Sequence, residues 1–175
     1  MLARPTRAPL PGTASWLARW LALAGVVIVI DQMTKQMVLD RFSIGERVAV
    51  VTDWFDITLA FNPGAAFSFL ADAQGWQRWL FVAIGLCASA LMGWLIGRHR
   101  GEPVFSAAMA LIIGGAIGNV IDRLVHGQVV DFLLVHHAGW FFPAFNVADS
   151  SITLGAILLI LDEFLRWRFS RATTH

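Results

Sequence analysis

The chain reads as a mainly α-helical membrane protein, with four transmembrane helices and a small β-sheet and extended loop on its outer face. Three observations predict this class. The 175 residues are 57% hydrophobic and only 14% charged, whereas a soluble domain is nearer half apolar and a quarter charged. Apolar runs of about 20 residues, the length that crosses about 30 Å of hydrocarbon, recur along the chain. The cationic residues gather at one side of those runs. A mean hydropathy of +0.65 agrees, as does the wealth of Trp and Phe, whose rings suit both packed interiors and the bilayer interface.

The elements follow in order. Residues 1–15, rich in Pro and small residues, read as a disordered cytoplasmic tail. The first apolar segment covers about 16–38. It has the basic start and apolar core of a secretory signal, but Asp31-Gln32-Met33-Thr34-Lys35 stands where a small-residue cleavage site belongs. It is therefore expected to remain as a membrane span. Residues 40–75 form a long outer loop with strand-like stretches at 47–52 and 54–61, rich in Val, Ile, Thr and Phe. The second span covers 76–96 and the third 104–124, joined by a tight basic turn at Arg98-His99-Arg100 before Pro103. A second outer connection, 125–145, carries strand-like stretches at 128–135 and 140–142, split by His136-His137-Ala138-Gly139. The fourth span covers 147–165, and Arg166, Arg168 and Arg171 follow it. There is no internal repeat and no second domain; residues 1–175 form one membrane domain.

Charge placement predicts the orientation. Arg4, Arg7, Arg19, Arg98, Arg100, Arg166, Arg168 and Arg171 fall on one side of the four spans. Arg41, Arg47, Arg78 and Arg123 fall on the other, offset by Asp40, Glu46, Asp53, Asp56, Asp72, Asp122 and Asp131. The positive-inside rule then places both termini in the cytoplasm. Cys87 is the sole cysteine and lies in an apolar run, which excludes a disulfide framework and a cysteine metal site and reads as a buried packing thiol.

Ionisable residues near a bilayer are costly, so each needs a reason to be there. Asp31 and Lys35, four apart on one helix face, read as a structural ion pair or as substrate contacts. Asn62-Pro63-Gly64-Ala65-Ala66-Phe67-Ser68 reads as a plain turn or as a binding loop presenting the Asn62 amide. Gly114 and Gly118 form a small-residue face for close helix packing, within one chain or between two. Asn119 and Arg123 share a face, while Asp122 beside Arg123 reads first as a structural pair. Asn146 suits an N-cap, with Asp149 reaching back in a capping box. Asp131, in mid-strand within Val129-Val130-Asp131-Phe132, has no cap or turn to explain it. Two costly aspartates at one membrane face point to a joint site.

Three other chemistries fit less well. A serine–lysine protease would rely on Lys35, the only lysine, with Ser43 or Ser68, yet a lysine paired with Asp31 is a poor base. A metal site at His136-His137 is disfavoured because adjacent strand residues point to opposite faces. A small proton-coupled transporter or channel subunit is the alternative from another class, but a relay should carry charges at several depths.

Five blocks together resemble the bacterial lipoprotein signal peptidases (signal peptidase II). They are Asp31-Gln32 with Lys35; Asn62 to Phe67; Gly114-Gly115-Ala116 with Gly118-Asn119 and Asp122-Arg123; Val130-Asp131-Phe132; and Asn146-Val147-Ala148-Asp149-Ser150. The resemblance covers most of the chain and implies an aspartic intramembrane protease of the bacterial inner membrane, its site near the periplasmic face. Such an enzyme removes the signal peptide from diacylglyceryl-modified prolipoproteins, just before the lipidated cysteine. It further implies that Asp131 and Asp149 are the catalytic pair, and that Asp31, Lys35, Asn62, Gly64, Asn119, Arg123 and Asn146 support the site or bind substrate. No metal, cofactor or nucleic acid is expected. The implied partners are lipid-modified prolipoproteins, membrane lipid and cyclic peptide inhibitors such as globomycin.

Overall fold

The computed structural model describes residues 12–64 and 75–172, with side chains to residue 168. Most of the expected N-terminal tail, and the loop residues Ala65 to Ser68 and Asp72, lie outside the described residues. The chain forms helix α1 (Thr13–Leu39), strands β1 (Arg47–Val51) and β2 (Phe55–Asn62), helices α2 (Trp76–Arg98) and α3 (Pro103–Val125), strands β3 (Val129–His137) and β4 (Trp140–Phe141), and helix α4 (Val147–Ala172).

The burial pattern is inverted relative to a soluble protein. On α1, Val26, Val29, Ile30, Met33 and Met37 are exposed while Asp31 and Lys35 are buried. That arrangement is stable only where the surroundings are themselves apolar. Helices α1, α2 and α3 are each long and apolar enough to cross a membrane. Helix α4 has the length, with 26 residues, but Asp149, Asp162 and Glu163 crowd its composition with acids. Cys87 proves exposed on α2, not buried as its sequence context implied, because α2 turns most of its apolar side chains outward.

Helix α3 is the hub and packs against the other three helices. It starts with Pro103 at its first turn, where the missing N–H costs nothing. Its glycines set the packing distances. A Cβ on Gly114 would sit 2.6 Å from Val27 Cβ and 2.9 Å from the Ala24 carbonyl, and one on Gly115 would sit 2.3 Å from the Ala148 carbonyl. The small-residue face therefore works within one chain, against α1 and α4. At the opposite end Trp16 is buried with Ala24, Ile96, Met109 and Ile113, its Nε1–H donating to Ser106 Oγ at 3.2 Å.

The four strands form one antiparallel sheet in sequential order. Strand β3 runs on through His136 and His137, which pair with Phe141 and Trp140, so the expected split falls two residues late. The hairpin turn is Ala138-Gly139, with φ of 48° and 83°, the left-handed pair that a two-residue hairpin requires. A register shift between Ile57 and Ala60 bends β2 and sets Ala60 opposite Asp131. Val130 and Phe132 bury against Val38 and Leu59, each contributing roughly 1.5–3 kcal/mol, so β3 is held against the end of α1. The segment before α4 then returns to the same strand. Phe145 exchanges backbone hydrogen bonds with Leu133 at 2.8 and 3.0 Å. That pairing delivers Asn146 and Asp149 beside Asp131.

Candidate active site

Asp131 and Asp149 line one cavity of about 940 Å³, together with Asn62, Gly64, Asn119 and Arg123. Asn146 joins the two carboxylates. Its Nδ2–H donates to Asp131 Oδ1 at 2.7 Å, and its Oδ1 accepts the Asp149 backbone N–H at 2.9 Å. The Asp149 carboxylate accepts the Asn146 N–H in return at 3.3 Å. This is a complete capping box, so the cap expected from sequence and the joint site expected from sequence coexist. The cap fixes the carboxylate at the helix N-terminus, where the helix dipole favours an anion.

Two further amides complete the shell. Asn62 Nδ2 donates to Asp131 Oδ2 at 3.1 Å, while its Oδ1 accepts the Gly64 N–H at 3.0 Å. Asn62 is thus both turn former and carboxylate partner. Asn119 Nδ2 donates to Asp149 Oδ1 at 2.8 Å. Burial in this shell, and then the neighbouring Asp149 charge, push the Asp131 carboxyl up to about 7, against the opposing pull of the Asn62 and Asn146 donors and the Lys35 charge. A carboxyl in this range carries or sheds a proton at neutral pH.

The two basic residues stand apart from the pair. Arg123 donates to the Gly64 carbonyl at 2.8 Å and to the Asn119 carbonyl at 3.3 Å, and its guanidinium lies over the Phe81 ring. Its Nε is buried and without a hydrogen-bond partner among the described residues. The structural pair expected between Asp122 and Arg123 is not formed, because consecutive helix residues diverge by about 100°. Asp122 instead meets Lys35 Nζ at 2.7 Å, and Asp31 meets the same ammonium at 2.8 Å. Lys35 is therefore engaged by two carboxylates and is not placed to serve a serine nucleophile. His136 and His137 part as expected: the first meets Asp56 at 3.0 Å, and the second stacks on Trp54.

Sequence reasoning gave no role to Gln32, whose Nε2 reaches Asp122 Oδ1 at 2.8 Å and Asp31 Oδ2 and the Gly118 carbonyl at 3.2 Å. Its signal was available, since a glutamine in a lipid-crossing helix also demands partners. It also missed the cavity's apolar wall of Phe142, Phe145, Ile152, Leu154 and Ile157. No residue type marks that wall in a chain this apolar.

Fold and site together define an integral membrane protein carrying an amide-clamped carboxylate pair at one end of its helical bundle. The family model for signal peptidase (SPase) II matches residues 23–165, and the chain belongs to that family of peptidases. It is 52% identical over 155 residues to the lipoprotein signal peptidase of Burkholderia ambifaria, covering 89% of this chain and 93% of that protein. It is 54% identical over 149 residues to that of Ralstonia nicotianae, covering 85% and 86%. Among solved structures, a bacterial membrane enzyme determined by the in meso method superposes with a TM-score of 0.76 at 32% identity, covering 84% of this chain and 88% of that one.

Proposed function

We propose that this protein is an aspartic endopeptidase that removes the signal peptide from diacylglyceryl-modified prolipoproteins, with Asp131 and Asp149 as its catalytic pair. The single observation that carries the reading is the pair itself: the buried Asp131 and half-buried Asp149 carboxylates, both bonded by Asn146 on the wall of one cavity. Two such groups do not both ionise easily, so they share a proton. The ionised member takes a proton from water as its oxygen attacks the scissile carbonyl. The protonated member donates to the carbonyl oxygen and polarises it. Collapse of the tetrahedral intermediate then passes a proton to the leaving amine, and the pair returns to its shared-proton state.

The remaining residues divide the labour. Asn62, Asn119 and Asn146 hold the carboxylates. The Arg123 Nε, without a hydrogen-bond partner among the described residues, offers a donor to a carbonyl or ester oxygen of the substrate. The apolar wall along Ile152, Leu154 and Ile157 suits a signal peptide and acyl chains, and globomycin-type cyclic peptides would fill the same space. We place the protein in the bacterial inner membrane as a single domain with α4 as a fourth span. Both termini are then cytoplasmic and the cavity periplasmic, since Arg19, Arg98, Arg100, Arg166 and Arg168 lie at the end of the bundle away from the pair.

The test is cleavage of a lipidated precursor peptide by purified Asp131→Asn and Asp149→Asn protein. Each substitution should lower turnover by at least about 1,000-fold while insertion into the membrane is retained. Normal cleavage by either inserted variant would refute the assignment.

A further inference from the structure

Behind the carboxylate pair lies a second buried cluster that the chemistry above does not use. Asp31, Lys35 and Asp122 are all within 2% of complete burial. The Lys35 ammonium spends its three hydrogens on Asp31 Oδ2 at 2.8 Å, Asp122 Oδ2 at 2.7 Å and Asn119 Oδ1 at 3.0 Å. Each of its partners leads to the pair. Asp31 Oδ1 accepts the backbone N–H of Ala148 at 2.8 Å, one residue before Asp149. Asp122 Oδ2 accepts the backbone N–H of Val130 at 3.1 Å, one residue before Asp131. Asn119 turns its oxygen to Lys35 and therefore its Nδ2–H to Asp149.

We infer that Lys35 is a positioning residue, clamping the backbone beside both catalytic aspartates through Asp31 and Asp122 and fixing the Asn119 amide so that it donates to Asp149. The inference rests on the reading of Asp131 and Asp149 as the catalytic pair. With the amide reversed, an N–H would face the ammonium and an oxygen would face the carboxylate, repulsive at both ends. Asn146 Nδ2 also donates to the Asn119 oxygen, at 3.3 Å, but Lys35 is the nearer and charged donor at 3.0 Å; it sets the polarity of Asn119 as a buried carboxylate sets the tautomer of a catalytic histidine. A counter-ion role alone does not account for the arrangement. A buried ion triad is seldom more stable than apolar residues of the same volume, whereas no apolar group could orient the amide. The close fit at Gly118, where a Cβ would lie 2.6 Å from Asp31 Oδ2, shows that α3 leaves space for the Asp31 carboxylate.

Lys35→Met alone leaves two buried carboxylates uncompensated and endangers folding. The test therefore uses Lys35→Met combined with Asp31→Asn, which keeps the net charge of the cluster and an amide oxygen for the Ala148 N–H. Purified in detergent, this variant should cleave a lipidated precursor with kcat about 100-fold lower, as for loss of one oriented donor, and KM within about threefold. The acidic limb of its pH–rate profile should move upward, because the ionised member of the pair has lost a donor. Adding Asn119→Ala should then cost less than about threefold more, since Lys35 acts through that amide. Asn119→Asp, which keeps an oxygen for Lys35 but turns an oxygen to Asp149, should lose turnover similarly and needs no change in the triad. Wild-type kcat and pH profile in the charge-balanced variant or in Asn119→Asp, or fully multiplicative losses, would overturn the proposal. Unimpaired cleavage by Asp131→Asn would instead overturn the catalytic assignment, so the two failures are distinguishable.

Discussion

Replacing Asp131 with Asn should make the protein more stable in alkaline solution and less stable in acid, because Asp131 is held out of its ordinary titration range. Its carboxyl is pushed from 3.8 to about 7, chiefly by burial and then by the charge on Asp149. The native protein therefore binds more protons than the unfolded chain between those two values. Stability falls as pH rises through that window, and the loss is complete above it. A gap of about 3 units at 1.36 kcal/mol each gives a cost of about 4 kcal/mol at pH 8. The amide of the Asp131→Asn variant would not titrate, but it carries a fixed penalty. Asn62 Nδ2 and Asn146 Nδ2 both donate to the Asp131 carboxylate, and the amide that replaces it can accept from only one of them, at a cost of about 1 kcal/mol.

The variant should therefore be about 1 kcal/mol less stable than the parent near pH 4 and about 3 kcal/mol more stable at pH 8. The apparent Tm in detergent, followed by near-ultraviolet circular dichroism from pH 4 to pH 8.5, measures this directly. Relative to the parent, the variant's Tm should rise by about 10 °C across the range, taking 2–4 °C per kcal/mol. A difference in Tm that stays constant with pH would refute the reasoning. In the proposed mechanism the same ionisation governs catalysis: kcat/KM of the parent should fall as pH rises through about 7, where the pair would lose its shared proton.

Two further outcomes follow from packing and topology. Gly118→Ala drives a Cβ to 2.6 Å from Asp31 Oδ2 and 3.5 Å from Ala148 Cβ, so it should cost about 1–3 kcal/mol by overpacking and lower kcat more than it raises KM; a Tm and kcat equal to the parent's would contradict the close fit. With Cys87→Ser as background, a cysteine at Ala138, exposed at the β3–β4 turn, should react with an impermeant thiol reagent added to the periplasmic side; labelling only from the cytoplasmic side would reverse the orientation.

The helices are legible because a run of apolar residues long enough to cross a bilayer leaves little else for the backbone to do. The observed α2 and α3 differ from the expected spans by two residues or fewer at each end. The strands are legible from β-branched and aromatic residues, but the β3–β4 turn is displaced: His136-His137 has the polarity of a loop, and only cross-strand pairing with Phe141 and Trp140 makes it strand. Asp131 and Asp149 are legible by cost, since a carboxylate in apolar sequence demands a reason. Partner choice is not. Adjacency assigns Asp122 to Arg123, although helix geometry turns the two apart and the true partner, Lys35, lies on another helix. Sequence lists which groups must be satisfied, and three-dimensional packing decides by whom.

The character of the shell suits the proton-sharing role proposed for the pair. Had Lys35 or Arg123 bonded directly to either carboxylate, the full positive charge would have lowered its pKa and left no proton to share. Each cation is instead engaged elsewhere, Lys35 by Asp31 and Asp122 and Arg123 by the Gly64 and Asn119 carbonyls. The direct side-chain partners of Asp131 and Asp149 among the described residues are the neutral amides of Asn62, Asn119 and Asn146. An amide N–H steadies an ionised oxygen without adding a charge that would forbid protonation. Burial can then keep Asp131 near neutrality, and three asparagines hold in place a pair that, in the proposed mechanism, ionises once but not twice.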